Sequence, residues 1–579
     1  MKRLIICFTL LVASFGGVAA KEVPVDRALQ IASQLLGETT RGGALSVVWD
    51  SSALADTRSG DDAPTFYVVA PESAPGFVIV AGDDAITPIL AYSTRYSAPS
   101  ASVLPPNFEE WLNYVDLSVR YVRDRGIVAD AATQQLWSEG YEPVDAIMLN
   151  TARWSQLAPY NNECPLDDGA RSLTGCTQTA TAIIMHHNRW PERAQGVTES
   201  FTTLRKGIYV PARDLNHAYD WDNMLETYIE GEYSDVEAEA VAILMADLGY
   251  AFKADYTSVD TGALPDMLAL YEKFGYSPAT RITRRATYSD EYWNALLRSE
   301  IEAGYPIFYS GYTEDDAGHA FVLDGVDQNN YFHVNWGWGG VYDGFFLLDA
   351  LTLDNYEFDY TQWALFGMRP MRDGEVDNWL CLSSSGIRAS TTTFEKGVSF
   401  TIEPATVANY SQLNFEGEVR VGVCDSRGEW KSWATESHPF TLPSMYGGGT
   451  SQMSAVVMED ILMGDRLSLF YRSNTSDKWF KMSAFAEGAV DEVIMKYPTI
   501  GSTTSFDYDK MRNTIIVDYD DDVKSALYLN GQYVEDGVTI TKGKMTIATQ
   551  RLEPGSTYTI LLVREGVEQR ELTFTIKAL

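Results

Sequence analysis

Leu173-Thr174-Gly175-Cys176-Thr177-Gln178-Thr179-Ala180-Thr181-Ala182-Ile183-Ile184-Met185 sets one cysteine behind a glycine, at the head of a run of small and apolar residues. Such a run predicts a buried helix whose first turn carries the thiol. The unpaired N–H groups and positive dipole end of a helix N-terminus favour thiolate over thiol, which makes Cys176 a candidate nucleophile. The competing reading is a small buried hydrophobe, the usual state of an unpaired cysteine. Threonines at alternate positions, Thr177, Thr179 and Thr181, also fit a strand, so the run alone leaves helix and strand open.

The 579-residue chain carries 44 Lys and Arg against 80 Asp and Glu, a net charge of −36. That balance repels nucleic-acid phosphates and anionic membrane surfaces, and it argues against both as partners. Apolar residues make up 45% of the chain, enough for several cores, and the length suits about four domains of ~150 residues. Residues 1–20 read as a secretory signal, with Lys2 and Arg3, an apolar stretch over 4–13, and Val18-Ala19-Ala20 as a small-residue cleavage site. No later stretch is apolar for long enough to span a bilayer, so a secreted or cell-surface-associated protein is expected. Cys164, Cys176, Cys381 and Cys424 remain after the signal. If Cys176 stays free, at most one bridge forms within the chain, and Cys381 with Cys424 is the expected pair.

Outward from the cysteine, the chain divides by pattern. Helical spacing over 24–37 and 107–124, with strands over 66–70 and 76–81, predicts a small α/β unit. A polar, Ala-rich connector follows at 124–140, and a folded unit plus connector behind a signal suggests a pro-domain over 21–142. Residues 143–370 are aromatic-rich and hold five of the six histidines. There, helical patterns at 236–248 and 290–303 precede strand patterns at 306–312, 320–326, 331–336 and 344–349, an α+β arrangement. Beyond 370 the chain reads as all-β. Val419, Val421 and Val423 alternate with other residues, and Asn530-Gly531 marks a two-residue hairpin. A linker-like stretch at 497–505 separates two expected β-sandwich modules, 371–496 and 497–579.

A thiol nucleophile needs a base, and the base needs an orienter. His186 and His187 follow Cys176 by ten residues or more, roughly 15 Å of helical rise, and are expected to face solvent or cap the helix. His217 sits in a polar loop without evident partners, and His438 lies in the β region. His319, in Gly318-His319-Ala320-Phe321-Val322, stands at the mouth of a strand and reaches a cleft more easily than mid-strand His333. If 327–330 form a hairpin loop, Val326 pairs with Tyr331 and His319 falls opposite Trp338. Trp336 and Trp338 then shield the imidazole, and Asn335 faces away unless a bulge shifts the register. An asparagine oxygen could fix the imidazole tautomer as the third member of a triad does, so the orienter stays open between Asn335 and the tryptophans.

Taken together, these residues resemble the streptopain-like cysteine peptidases, peptidase family C10 of the papain-like superfamily. The matching stretches are Gly175-Cys176-x-x-Thr179-Ala180-Thr181-Ala182-x-Ile184-Met185, Leu244-Met245-Ala246-Asp247-x-Gly249, Gly318-His319-Ala320-Phe321-Val322-x-Asp324-Gly325, and His333-Val334-Asn335-Trp336-Gly337-Trp338-Gly339-Gly340-x-x-Asp343-Gly344-Phe345-Phe346. They cover about 147–370, with a weaker extension into the pro-segment through Gly76-Phe77-Val78-Ile79-Val80-Ala81-Gly82-Asp83. The resemblance implies a two-lobed papain-like catalytic domain with Cys176 as nucleophile and His319 as base. It makes the Gln156 side chain an oxyanion-hole donor beside the Cys176 N–H. It also implies Asn335 as orienter under Trp338, against the pairing argument above. Protein or peptide substrates, the chain's own pro-domain as inhibitor and no cofactor follow from the same likeness. Two features depart from it: Cys164, between Gln156 and Cys176 and able to modify or block the site, and the C-terminal region from 371. Rival readings are a catalytically silent surface-binding protein and a thiol acyltransferase. A metalloenzyme is disfavoured because no His, Asp or Glu group has ligand spacing, and the acidic run 518–522 fits a solvated turn better than a calcium loop.

Overall fold

The computed structural model describes residues 21–576 apart from 38–43, 55–62, 103, 105, 140, 142–145, 313–317, 349–360, 373–379, 384, 463, 485–489, 496–504, 510, 511, 520, 522, 531 and 565–567. The secretory signal, the 142/143 boundary and most of the 497–505 linker lie outside the described residues, as does part of the 518–522 run. Two compact units form, 1–372 and 373–579.

The cysteine-led run is a helix, Cys176–Asn188, and everything from Thr177 to His186 is buried. A helix buried all round must satisfy its polar side chains internally. The alternate threonines do so: Thr179 Oγ1 donates to the Gly175 carbonyl at 2.9 Å and Thr181 Oγ1 to Thr177 at 2.8 Å, the i−4 back-bond open to a hydroxyl in a helix. Gly175 precedes the helix at φ 91°, a conformation that glycine adopts without strain. Ile183, Ile184 and Met185 share a core with Val241, Leu244, Met245 and Leu248 of helix Asp235–Ala251, and with Ala320 and Val322 of strand Gly318–Val326. Helix Asp235–Ala251 begins with a full capping box, Ser234 with Glu237, contributing about 1 kcal/mol.

The first unit is built on one sheet of eleven strands among the described residues. Its order runs Leu45–Asp50, Phe66–Pro71, Phe77–Ala81, Ile89–Ser93, Gly344–Leu347, Tyr331–Asn335, Gly318–Val326, Ile307–Tyr312, Thr361–Phe366 and Arg281–Arg284, with Ile147–Met148 pairing on Gly318–Val326. Every adjacent pair in it is antiparallel, in keeping with an α+β class. This corrects the expected N-terminal α/β unit in one respect: it is not separate. Tyr92 pairs with Phe345 and Ala91 with Phe346, so its sheet continues into the following one. The cores merge as well, because Phe108 and Trp111 of helix Pro106–Arg125 pack on Trp336 and Phe346. The connector is also more than a tether. Ala131–Glu139 is a helix, with Trp137 buried and its indole N–H donating to the Ile86 carbonyl at 2.8 Å.

The second unit holds two cores. Val419, Val421 and Val423 of strand Phe415–Cys424 point into the first, with Leu467, Leu469 and Tyr471. Two four-stranded sheets enclose Val517, Leu527, Ile547, Ile560 and Leu562 in the second. The expected hairpin is present: Leu529 pairs with Gln532, and Asn530 has φ 48°. The expected Cys381–Cys424 bridge is not formed: both cysteines are buried, on strands of different sheets, and no disulfide joins them.

Candidate active site

A cleft of about 760 Å³ brings together Gln156, Cys176, His319 and Trp338. Cys176 is the first residue of its helix, and the backbone N–H of Ala320, across the cleft, points at its sulfur. Burial nevertheless raises the thiol's pKa, opposed by the N–H groups of Ala320 and Thr177 and reinforced by the carboxylate of Asp260. Desolvation is the largest influence on this thiol.

His319 is 6% exposed, on strand Gly318–Val326. Its Nε2–H donates to the Trp336 carbonyl at 3.0 Å, and its ring stacks on Trp338 with centroids 4.9 Å apart. Burial, only partly offset by that carbonyl, pushes the imidazole pKa down to about 4. It is therefore neutral at pH 7. No hydrogen bond joins it to Cys176 in this arrangement.

Asn335 departs from its expected role as orienter. Its Nδ2 donates to Thr151 Oγ1 at 3.0 Å and the Ala152 carbonyl at 2.9 Å, while its Oδ1 accepts from the Gly337 N–H at 3.1 Å. The imidazole partner is instead the Trp336 backbone. The register explains the geometry: Val322 pairs with Asn335, as the sequence pairing expects, and the bulge between Leu323 and Gly325 shifts only the hairpin end, where Val326 pairs with Phe332 rather than Tyr331. Asp324, in the bulge, accepts from His333 Nδ1 at 2.5 Å and from Thr151 Oγ1 at 2.6 Å. His333 is buried on that carboxylate and does not line the cleft, its pKa kept raised by Asp324 against the burial that lowers it. Asp343 Oδ1 accepts from the Trp336 N–H at 3.1 Å, and burial pushes its pKa up to about 7.

The Trp-Gly block works through backbone freedom. Gly337, Gly339 and Gly340 all have positive φ, and a Cβ on Gly337 would meet Thr179 Cγ2 at 3.2 Å, so the turn lies close against the cysteine helix. The Gly339 N–H donates to the Trp154 carbonyl at 2.9 Å, tying the block to the segment that carries Gln156. Gln156 itself is half-buried, its carbonyl accepting from the Thr174 N–H at 3.2 Å. Trp336 is buried behind the cleft, stacked on Trp338 at 5.3 Å.

Three other sequence expectations are corrected. Cys164 does not reach the cleft; it is buried with Tyr256 and Val210, and burial pushes its thiol up to about 12. His186 is buried against Trp154, with Nε2 at 3.1 Å from the Met224 carbonyl, and His187 Nε2 lies 3.3 Å from Gly304 O. His217 has a partner, the fully buried Asp247, which also accepts from Arg213 and Tyr219. Asp247, Asp324 and Asp343 all sit inside the matched motifs, but nothing in local spacing names their partners.

Residues 154–346 match the Peptidase C10 family, and residues 20–119 match the Spi protease inhibitor family. Streptopain of Streptococcus pyogenes is 34% identical over 303 residues, covering 48% of this chain and 73% of that protein. The chain belongs to the peptidase C10 family. As a C10 member it is a cysteine-type endopeptidase with an N-terminal inhibitor-like propeptide domain. The thiol protease/hemagglutinin PrtT of Porphyromonas gingivalis is 27% identical over 366 residues, 61% of this chain and 42% of its own length. Among solved structures, a prointerpain A fragment of Prevotella intermedia, 28% identical, covers 54% of this chain and 97% of that chain with a TM-score of 0.44. No described helix is long and apolar enough to cross a membrane, and no metal-ligand cluster occurs among the described residues.

Proposed function

We propose that this C10 peptidase is exported by its 1–20 signal as a latent precursor, in which 21–142 inhibits a papain-like catalytic domain over 143–370. The modules 371–496 and 497–579 follow, and the product is secreted or held at the cell surface. One observation carries the reading: Cys176, His319 and Gln156 line a single cleft, with His319 held by Nε2 on the Trp336 carbonyl. The bond to Trp336 engages Nε2 and keeps Nδ1 for the thiol proton, which supports His319 as the base. The inhibitor-like strand Ile89–Ser93 occupies the sheet edge one residue from Asp343, and Phe108 covers Trp336 from behind.

In the activated enzyme His319 takes the thiol proton at Nδ1. The thiolate adds to a peptide carbonyl, whose oxyanion receives N–H donors from Gln156 and the Cys176 backbone. His319 returns the proton to the leaving amine as the C–N bond breaks. Water, deprotonated by His319, then cleaves the thioester and regenerates the thiol. Asn335 holds the Trp336–Gly337 turn, through Gly337, and Trp338 covers the imidazole. Cys176→Ala should leave the precursor unprocessed and unable to digest casein. A variant that matures and digests casein as the wild type does would overturn the reading.

A further inference from the structure

One wall of the cleft is a loop, residues 255–263, closed by the Asp255 N–H on the Gly262 carbonyl at 2.8 Å. It touches both neighbours of Cys176. Thr177 Oγ1 donates to the Ala263 carbonyl at 2.8 Å, and a Cβ on Gly175 would meet the Thr261 carbonyl oxygen at 2.8 Å. Its tip is open, with Val259 79% exposed. Two carboxylates on so short a loop repel each other, and one guanidinium bridges them. Arg205 Nε donates to Asp255 Oδ2 at 2.6 Å and Nη1 to Asp260 Oδ2 at 2.7 Å. Nη2 donates to the backbone carbonyls of the same two residues, at 3.0 and 2.6 Å. The Leu204 and Arg205 N–H groups complete the clasp on Asp255 Oδ1, at 2.7 and 3.2 Å.

We propose that Arg205 is a positioning residue for peptide binding: it holds the 255–263 wall in one shape before substrate arrives. The inference rests on the cleft being the peptide site. A planar fork can join two carboxylates and two carbonyls at once, which a lysine ammonium cannot. Without it Asp260 loses its cation and Asp255 keeps only the two backbone N–H groups on Oδ1, so the loop loosens and each substrate must order the wall as it binds. That cost falls on ground state and transition state alike, so it enters KM and leaves kcat in place.

The test uses the active enzyme and an internally quenched peptide. Arg205→Gln should raise KM about tenfold with kcat held within about twofold, and Arg205→Lys should fall between. Added NaCl should raise KM in the wild type toward the Arg205→Gln value, because the clasp is partly exposed and screened. A wild-type KM in Arg205→Gln, or a loss carried by kcat, overturns the proposal. Cys176→Ala separates the two levels: if it still cleaves the peptide, the reading of the cleft fails, whatever Arg205→Gln does.

Discussion

Replacing Gly344 by Ala should weaken inhibition without touching the enzyme. Gly344 opens the strand onto which the inhibitor-like domain adds its own. A Cβ there would meet the Tyr92 carbonyl oxygen at 2.7 Å, Ser93 Cβ at 3.2 Å and Phe77 Cζ at 3.4 Å. All three atoms belong to the inhibitor-like domain, and Gly344 does not use the left-handed backbone region, so alanine introduces no strain of its own. The carbonyl oxygen is held in a sheet and cannot swing aside as a side chain would. Overpacking of this kind costs about 1–3 kcal/mol, borne only while the two strands are paired. It corresponds to roughly 5- to 150-fold in the affinity of the inhibitor-like domain. The assay is a time course of maturation for the full precursor, wild type against Gly344→Ala, followed by kcat/KM of the two matured enzymes. The variant should mature at least about fivefold faster, with kcat/KM of the matured forms within about twofold. Equal maturation rates would refute the argument that strand pairing maintains latency. Equal damage to the matured enzyme would refute the argument that the clash is confined to the precursor.

Two further predictions address the buried ionisable groups. His319 is held neutral in the precursor, its pKa pushed from 6.5 down to about 4 by burial. Between those values the unfolded chain binds a proton that the folded chain refuses, so stability is full above about pH 6.5 and falls as pH drops toward 4. His319 accounts for up to about 3 kcal/mol of that fall. Urea midpoints at pH 7 and 4.5 should converge in His319→Gln, and an unchanged difference would count against it. Asp247→Ala removes the closest carboxylate from Arg213 and the shared acceptor of His217 and Tyr219. The loss should be about 3–5 kcal/mol, read as a lower Tm, and a wild-type Tm would show the hub to be dispensable.

What the sequence could reveal followed the range of each interaction. The strand set from Ile307 to Leu347 and the Asn530 hairpin are local patterns, and each was legible. Helix against strand at Thr177, Thr179 and Thr181 was not, because the deciding bonds run from hydroxyls to carbonyls four residues back and exist only once the helix has formed. Strand parity placed Trp338 over His319, as found. The bulge at Asp324 shifted the pairing by one, and no residue type announces a bulge held by side-chain bonds to Thr151 and His333. The histidine partners were misread for the same reason: Asp247 lies 30 residues from His217, and Trp154 lies 32 from His186. The shared sheet was the largest omission. Ile89–Ser93 and Gly344–Leu347 are some 250 residues apart, and a sheet edge does not encode its neighbour in local spacing.

That shared sheet also gives the glycine-tryptophan motif a second meaning. Read as sequence, the run from His333 to Phe346 is a catalytic signature. In the fold it is a short path between the inhibitor-like strand and the proposed base. Tyr92 and Ala91 hold Phe345 and Phe346, Asp343 lies just before that strand, and its carboxylate takes the Trp336 N–H. The carbonyl of the same Trp336 takes the His319 N–H. A strand added at the sheet edge is thus separated from the imidazole by one carboxylate and one residue's backbone. Interfaces this closely packed tend to be bistable rather than gradual, so loss of the inhibitory strand should free the Trp336 turn and His319 together, not one after the other.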